Sequence, residues 1–305
     1  MKKFLALLIC IGLGYFLYTY REPIVNKTTE IFVPQKEKKE IIIPEMNGYK
    51  KDYDFLFVKN VANFEPSTSE DIKNVFYTTI NSGWSEFSFF CPDEYINCID
   101  DVIDISNDSV KLNQLNNFVE PFNSYQYIET STSTSGTVKI KITKLYDDAT
   151  QEVLNNKVNE IIQNNLNGNM TDREKIRTIH DYIINNTKYD TVYAQNGSSE
   201  HVANTAYGAL MQGYAVCGGY ADAMALFLDK LGIKNYKIAS DTHVWNYVNI
   251  EDAWYHLDLT WDDPVIKNSN KNRLDHTYFL ISTKDLEALN NVEHNYNKTV
   301  YIEAN

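Results

Sequence analysis

The chain has 305 residues, of which 43% are hydrophobic and 23% are charged. These values are typical of a globular protein with room for one sizeable domain and a smaller partner. The formal net charge is −13 at pH 7. Proteins bind nucleic acid when basic side chains displace counterions from phosphates, so this acidic composition excludes nucleic acid as the expected partner.

The first 21 residues have the pattern of an export signal. Lys2 and Lys3 precede an uncharged, mostly apolar run from Phe4 to Tyr20, and Arg21 closes it. The run is at the lower length limit for a membrane-spanning helix, and no small-x-small cleavage site lies near its end. We therefore predict an N-terminal membrane anchor helix over 1–21, with a cleaved signal as the alternative. Either way, the rest of the chain is expected outside the cell, membrane-anchored or secreted.

Residues 22–48 are predicted to be a linker. Pro23, Pro34 and Pro44 interrupt the segment, and Lys36 to Glu40 form a charged run. Such composition favours an extended, solvated spacer that holds the following part away from the membrane.

A smaller N-terminal α/β module is predicted over 49–145. Cap residues Ser67 to Asp71 open a helix that ends by Gly83. Short apolar or alternating runs predict strands, and these lie at 55–58, 85–90, 125–130 and 137–145. This module contains no group of residues that suggests catalysis.

Two helices are predicted next, before the region that carries the chemistry. The first runs from Gln151 to Leu166, and Thr171 with Glu174 forms a capping box that opens the second. His180 and Asp181 lie beside the apolar stripe of this second helix. We interpret them as a polar helix edge with a structural histidine.

The sequence contains four cysteines, and Cys10 lies within the N-terminal apolar run. Cys91 and Cys98 could form a disulfide in an exported protein, but their spacing also fits two free thiols on one helix, which we favour. No Cys-x-x-Cys or other zinc-type spacing occurs, so the sequence predicts no structural metal site. Cys217 therefore needs an explanation of its own.

Cys217 is predicted to lie at the start of a helix. It is followed by Gly218 and Gly219, then by an apolar stripe, and Gly232 ends the helix. The exposed amide groups and the dipole at such a helix start favour a thiolate. The alternative is that Cys217 is a small buried residue that packs the helix start, the commoner role of a lone cysteine.

A predicted β-hairpin supplies a histidine and a carboxylate. Two strand-like runs, 243–250 and 253–259, flank Glu251 and Asp252. A two-residue turn there places His243 and Asp258 on the same face of the sheet, as diagonal neighbours about 7–8 Å apart at the backbone. A three-residue turn would place them on opposite faces.

These three residue types can act together as a catalytic triad. A thiol needs a nearby base, and a carboxylate on the far imidazole nitrogen fixes the tautomer of that base. We therefore predict that Cys217 attacks an amide carbonyl and forms a thioester. The amide group of Cys217 is the expected oxyanion donor, with Tyr214 and Gln212 as weaker candidates.

The remaining polar residues near the hairpin are predicted to have structural roles. His256 is a rival base by its position in the strand, but the aromatic segment Trp254–Trp261 around it favours a packing role. Asp262 and Asp263 precede Pro264 and predict a turn. The sequence suggests no partner for His276 or His294.

Three blocks of this region, AVCGGYADAMALFLDKLGI, THVWNYV and WYHLDLTWDDP, resemble the core of the bacterial transglutaminase-like superfamily. The preceding MTDREKIRTIHDYIINNTKYD resembles the helix before that core. The resemblance implies an α+β, papain-like domain over 146–305, in which the helix bearing the nucleophile packs on an antiparallel sheet. It assigns Cys217 as nucleophile, His243 as base and Asp258 as orienting acid. Ala215 replaces a frequent glycine, and residues 277–282 resemble the closing strand.

The expected function is an exported cysteine-nucleophile enzyme that acts on an amide bond of a protein or peptide, in the cell wall or elsewhere outside the cell. Water would resolve the thioester in a protease or amidase, and an amine would do so in a transglutaminase. This chemistry requires no metal or organic cofactor, and the sequence shows no Ca²⁺-loop pattern. The alternatives are a catalytically inactive cell-surface binding module with the same fold, and a scaffold for other membrane proteins.

Overall fold

The computed structural model describes residues 40–264 and 274–304. The predicted anchor at 1–21 and residues 22–39 of the predicted linker lie outside the described residues. From Ile41 onward the chain groups into one compact unit. Among the residues described, there is no helix with the length and apolar character needed to cross a membrane.

The first half of this unit combines helices with an antiparallel sheet of three strands in the order β1-β3-β2. Helix α1 begins after Thr68, whose side chain accepts a hydrogen bond from the amide of Asp71. The Asp71 carboxylate in turn accepts from the amide of Thr68, which completes a capping box. The elements are α1 (Ser69–Asn81), β1 (Glu86–Phe90), α2 (Cys98–Asn107), α3 (Ser109–Asn116), a 3-10 turn (Pro121–Asn123), β2 (Tyr125–Thr132) and β3 (Thr137–Lys144).

The predicted strand at 55–58 is wrong. The amide of Phe55 donates to the carbonyl of Val58 at 3.0 Å, so the segment closes on itself as a local turn. Both side chains are buried in the core, which explains why the short apolar run imitates a strand. Side chains that are buried in a turn therefore give the same short apolar run as a buried β-strand.

The prediction that Cys91 and Cys98 are free thiols is also wrong. The two residues form a disulfide, with their Cα atoms 5.7 Å apart. They do not share a helix, because Cys91 follows β1 and Cys98 begins α2. Two successive turns, closed by bonds from Tyr95 to Pro92 and from Cys98 to Tyr95, fold the chain back between them.

The second half contains the predicted helix packed on an antiparallel sheet of order β6-β7-β8. Thr171 and Glu174 form the predicted capping box. The elements are α4 (Asp148–Asn165), α5 (Asp172–Asn186), β4 (Lys188–Tyr189), α6 (Thr191–Asn196), a π-helix (Gly208–Gln212), β5 (Tyr214–Ala215), α7 (Cys217–Lys230), β6 (Asn235–Ala239), β7 (Val244–Ile250), β8 (Ala253–Leu257), α8 (Thr283–Ala288) and two 3-10 turns (Val292–His294 and Ile302–Ala304). Asn246 of β7 donates to the carbonyl of Ala221 at 2.9 Å, which ties α7 to the sheet. The predicted α+β class and this packing are confirmed.

The predicted closing strand at 277–282 is not a regular strand. It contributes only an isolated bridge between Ile281 and His256 of β8. Leu280 has φ +51°, a left-handed backbone conformation that interrupts an extended run. The segment therefore follows the edge of β8 through single hydrogen bonds.

Two buried hydrophobic clusters stabilise the unit. The first joins side chains from residues 55–142 with Tyr236, Trp245 and Tyr301 from the second half. The second lies among α4, α5 and α7 and the far side of the β6-β7-β8 sheet. The predicted division of the chain at residue 145 therefore runs through the first cluster.

Candidate active site

Helix α7 begins at Cys217, as the sequence predicts. Val216 has an extended backbone, and its carbonyl accepts from the amides of Gly219 and Tyr220, which closes the first turn. Cys217 is partly exposed, and it is the free cysteine of the described chain. The thiol thus lies at a helix N-terminus that solvent can reach.

The glycines after the cysteine permit close packing of the helix start. A Cβ atom on Gly218 would lie 2.0 Å from Oδ1 of Asn204, and one on Gly219 would lie 2.4 Å from the carbonyl oxygen of Ala203. The amide of Val216 also donates to that carbonyl, at 2.9 Å. The position of the thiol is therefore fixed from both sides by the segment 203–205.

The hairpin has the register that the sequence predicts. Ile250 pairs with Ala253, so Glu251 and Asp252 form a two-residue turn, with φ +52° and +63°. Positive φ at both positions is the geometry of a type I′ turn, which matches the twist of the strands. His243 lies directly before β7 and Asp258 directly after β8.

This register brings the three predicted site residues together. Nε2 of His243 lies 2.6 Å from Oδ2 of Asp258. This bond leaves the other ring nitrogen, Nδ1, for Cys217, which lies close enough to the imidazole to raise the pKa of His243. His243 and Asp258 are both buried.

The electrostatics of the pair favour a charged imidazole. Burial opposes the charge on His243, but the Asp258 carboxylate and, after it, the nearby Cys217 outweigh burial and raise the pKa of His243 to about 10. For Asp258, burial acts in the opposite sense, and the two histidines next to it nevertheless hold the pKa of this carboxyl well below its usual range. The pair is thus an imidazolium and a carboxylate at neutral pH.

A second histidine, His294, shares the carboxylate. Its Nε2 atom lies 2.8 Å from the same Oδ2, and Oδ1 of Asp258 accepts from the amides of Thr260 and Trp261 at 2.9 and 3.3 Å. Sequence reasoning missed His294 because it lies 36 residues beyond Asp258, in a 3-10 turn without a periodic pattern. These bonds leave Asp258 a single orientation.

The rival base, His256, has the predicted structural role. Its Nδ1 accepts from Nε1 of Trp245 at 3.0 Å, so its Nε2 carries the proton and donates to Thr283 at 3.1 Å. Burial, with the charge of His294 as a smaller cause, lowers the pKa of His256 to about 3. A neutral imidazole with both nitrogens occupied is not available as a base.

The side chains predicted as weaker oxyanion donors contact residues 201 and 202. Oε1 of Gln212 accepts from the amide of Val202 at 2.9 Å, and the ring of Tyr214 stacks on His201 with centroids 3.9 Å apart. Tyr189, which sequence reasoning missed, pairs with Ala215, two residues before the nucleophile. Burial raises the pKa of the Tyr189 phenol, and the nearby charge of Cys217 adds to this effect. Tyr189 therefore lies beside the thiol.

The residues after the hairpin connect it to α5. Asp262 accepts from the amide of Tyr278 at 2.9 Å and lies 3.1 Å from Nε2 of His180. Asp263 accepts from the hydroxyl of Tyr220 at 2.5 Å, and burial raises the pKa of this carboxyl to about 6. His276, for which the sequence suggested no partner, contacts Asp181 at 2.8 Å.

Part of the chain is similar to known proteins. Residues 159–259 match the family model described as "Transglutaminase-like superfamily". No curated protein matches the chain. Among solved structures, one described as a TGase is similar at 13% identity and a TM-score of 0.36, over 51% of this chain and 49% of that one. Another, described as a "putative cysteine protease from Cytophaga hutchinsonii", is similar at 16% identity and a TM-score of 0.29, over 44% of this chain and 61% of that one.

Proposed function

We propose that the chain is an exported enzyme that breaks an amide bond of a protein or peptide through a thioester on Cys217, and the match of residues 159–259 to the transglutaminase-like superfamily supports this. The observation that carries the proposal is the position of His243, which is hydrogen-bonded to Asp258 at 2.6 Å and lies close enough to Cys217 for the thiol to raise its pKa. This is the arrangement that a thiol nucleophile requires.

The chemistry follows from the charge states of these groups. The Cys217 thiolate attacks the carbonyl carbon, the C–N bond breaks, and the His243 imidazolium gives its proton to the leaving amine. Asp258, held by its two amide donors, keeps His243 oriented throughout. Neutral His243 then takes a proton from the incoming water or amine, which attacks the thioester and frees Cys217.

The second half-reaction defines the class of enzyme. Water as acceptor makes the protein a protease or amidase, and a lysine amine makes it a transglutaminase. The acylation step and its residues are common to both, so the proposal covers both. It requires no metal or organic cofactor at the triad, because the positioned thiol and imidazole supply both nucleophile and proton transfer.

Export is part of the proposal and has its own support. The disulfide between Cys91 and Cys98 is of a kind that persists in oxidising compartments. The basic residues and apolar run of 1–21 fit a membrane anchor that leaves the domain outside the cell, or a signal whose removal secretes it. We propose protein or peptide substrates at the cell surface, including those of the cell wall.

The test is the rate of iodoacetamide alkylation of Cys217 against pH, in a full-length Cys10→Ser parent, which removes the thiol of Cys10, and in the same chain with His243→Ala or Asp258→Asn. His201→Ala is the matched control, because His201 also pairs with an aspartate, Asp190 at 3.1 Å. We expect rapid labelling at pH 6 in the parent and the control. In His243→Ala, labelling should rise only near pH 8.5, roughly where a free thiol ionises.

A second measurement separates the two acceptors. A glutamine-containing peptide is incubated with the protein in the presence and absence of a fluorescent primary amine, and ammonia release and label incorporation are followed. Incorporation that requires Cys217 identifies a transglutaminase, and peptide cleavage or deamidation identifies a hydrolase. An ordinary thiol profile in the parent and all variants would refute the nucleophile and leave the cell-surface binding module as the working function.

A further inference from the structure

We propose that His180, Asp181 and His276 form a binding site for a transition-metal ion of the zinc type. His180 and Asp181 are adjacent on α5, and His276 comes from the segment that follows β8. Asp181 and His276 are 95 residues apart. This separation explains why no metal-type spacing is visible in the sequence.

The ligand atoms already converge on one point. Nδ1 of His180 and Nε2 of His276 each lie 2.8 Å from the same atom, Oδ1 of Asp181. All three potential ligand atoms lie within 4.8 Å of one another. Bonds of about 2.0–2.2 Å to a tetrahedral zinc ion place ligand atoms roughly 3.4 Å apart, so the triangle must open by about half an ångström on two of its edges.

The surroundings of His180 are those of a metal-bound histidine. Its other ring nitrogen, Nε2, lies 3.1 Å from Oδ2 of Asp262, and both side chains have 0% exposure. A histidine that binds a metal usually donates its second N–H to a carboxylate, which fixes the ring and the tautomer. The rings of His180 and His276 also stack, with centroids 5.3 Å apart.

Solvent can reach the site, and its charge suits a cation. The side chains of Asp181 and His276 are 29% and 28% exposed, which leaves room for a water molecule as a further ligand. Arg177 is the nearby basic side chain, 4.0 Å from Oδ2 of Asp181 and 56% exposed. It approaches the carboxylate oxygen that the two histidines leave free.

The choice of metal follows from the ligands. Two imidazoles and one carboxylate favour Zn²⁺, Co²⁺ or Ni²⁺ over Ca²⁺ and Mg²⁺, which prefer oxygen ligands. Without a metal, the same geometry is a hydrogen-bond network in which each ring nitrogen of His180 lies against a carboxylate. Metal binding would displace the protons on Nδ1 of His180 and Nε2 of His276.

The experiment is calorimetric titration of the metal-free full-length chain carrying Cys10→Ser and Cys217→Ser with ZnCl₂, supported by the visible absorption of the Co²⁺ complex. The two substitutions remove Cys10 and Cys217 as competing thiol ligands, so the result is independent of the proposed enzymatic function. We expect one equivalent of Zn²⁺ to bind in the presence of millimolar Mg²⁺. Affinity should fall at least about tenfold in His276→Ala, and about 10–100-fold in Asp262→Asn.

The controls distinguish this site from other histidines. His201→Ala, which removes another histidine paired with an aspartate, should bind Zn²⁺ like the parent. Asp181→Asn is a second ligand variant at a partly exposed position, and circular dichroism checks that each variant is folded. The proposal would be overturned if the parent chain of this titration showed no saturable Zn²⁺ binding. It would also be overturned if folded His276→Ala and Asp181→Asn bound Zn²⁺ with the same affinity as that parent.

Discussion

Two histidines, His243 and His294, contact the same carboxylate oxygen of Asp258, and they have different roles in the site. His243 connects Asp258 to the thiol, whereas His294 contacts the carboxylate from a 3-10 turn near the end of the chain. His294 therefore acts on the site through Asp258, as a positioning residue. Its contribution is expected mainly in stability, because it is a donor to a buried charge.

His294→Phe is predicted to lower the free energy of unfolding by about 1–3 kcal/mol, since a buried carboxylate loses one of its donors. Urea denaturation of the parent and variant measures the loss. The pH profile of Cys217 alkylation should stay close to that of the parent, because His243 and the two backbone donors remain on Asp258. A profile like that of His243→Ala would show that His294 is essential for the triad itself.

The low pKa of His256 predicts how the free energy of unfolding changes at acidic pH. Its pKa is about 3 in the folded chain against 6.5 for the free side chain, so the unfolded state binds more protons between these values. The stability due to neutral His256 is therefore present above pH 6.5 and is lost as the pH falls towards 3. His256→Gln keeps an acceptor for Trp245 and a donor for Thr283 without titrating.

The measurement compares the free energies of unfolding of parent and His256→Gln from pH 7 to pH 4. Relative to the parent, the variant should gain roughly 1.4 kcal/mol for each pH unit below 6.5. A difference that is constant over this range would mean that His256 titrates in the folded protein as it does in the unfolded chain.

Residue chemistry explains which site residues the sequence could predict. Cys217, His243 and Asp258 lie within 42 positions, on a helix start and a hairpin whose register follows from one turn. His294 and His276 contact their partners from irregular segments, and no local sequence pattern predicts such contacts. Their positions depend on long-range packing, which cannot be predicted from the spacing of residues along the chain.

At the scale of elements, the β7-β8 turn sets the geometry of the site. Glu251 and Asp252 both have positive φ, which costs about 1–2 kcal/mol for a residue with a side chain. Replacing them by Asn and Gly, the pair best suited to a type I′ turn, should raise the free energy of unfolding by about 1–2 kcal/mol. Thermal denaturation tests this, and the alkylation profile of Cys217 should not change.

Asn290→Gly is the matched control for this prediction. Asn290 also has positive φ, 52°, but asparagine tolerates this conformation, so the gain should be smaller than at the hairpin. If the hairpin variant were less stable than the parent, the two-residue turn and the register that depends on it would be wrong.

Elements with capping residues and clear periodicity were predictable, and isolated contacts were not. The capping boxes at Thr68 and Thr171 mark the starts of α1 and α5 because they satisfy amides within the same segment. Residues 55–58 and 277–282 are apolar for a different reason, since they pack onto neighbours without joining a ladder. The periodicity of apolar residues indicates which side chains are buried. It does not identify the partner strand that a β-strand needs for pairing.

At the scale of the whole molecule, the first hydrophobic cluster crosses the predicted domain boundary. Tyr236 of β6 packs against Phe55 and Phe118, with ring centroids 5.1 and 4.8 Å away. Lys51 forms an ion pair with buried Asp229 at 3.1 Å. The sheet that positions His243 therefore depends on residues before 145.

We predict that residues 146–305 expressed alone do not fold. The truncation removes the ion-pair partner of Asp229 and exposes the aromatic side chains that pack against residues before 145, each of which costs about 1.5–3 kcal/mol. Circular dichroism and thermal denaturation of 146–305 and 41–305 provide the comparison. A cooperative transition in the shorter chain would establish the predicted division into two domains.

Trp245 lies among the three histidines of this site. Its ring stacks on His243 at 5.5 Å, meets His294 edge-on at 4.8 Å, and donates to His256. An excited indole loses its emission to a neighbouring imidazolium by electron transfer, but hardly to a neutral imidazole. The chain has four tryptophans, so in a variant that keeps Trp245 alone the fluorescence is an optical readout of the proton on His243, visible during turnover without any label.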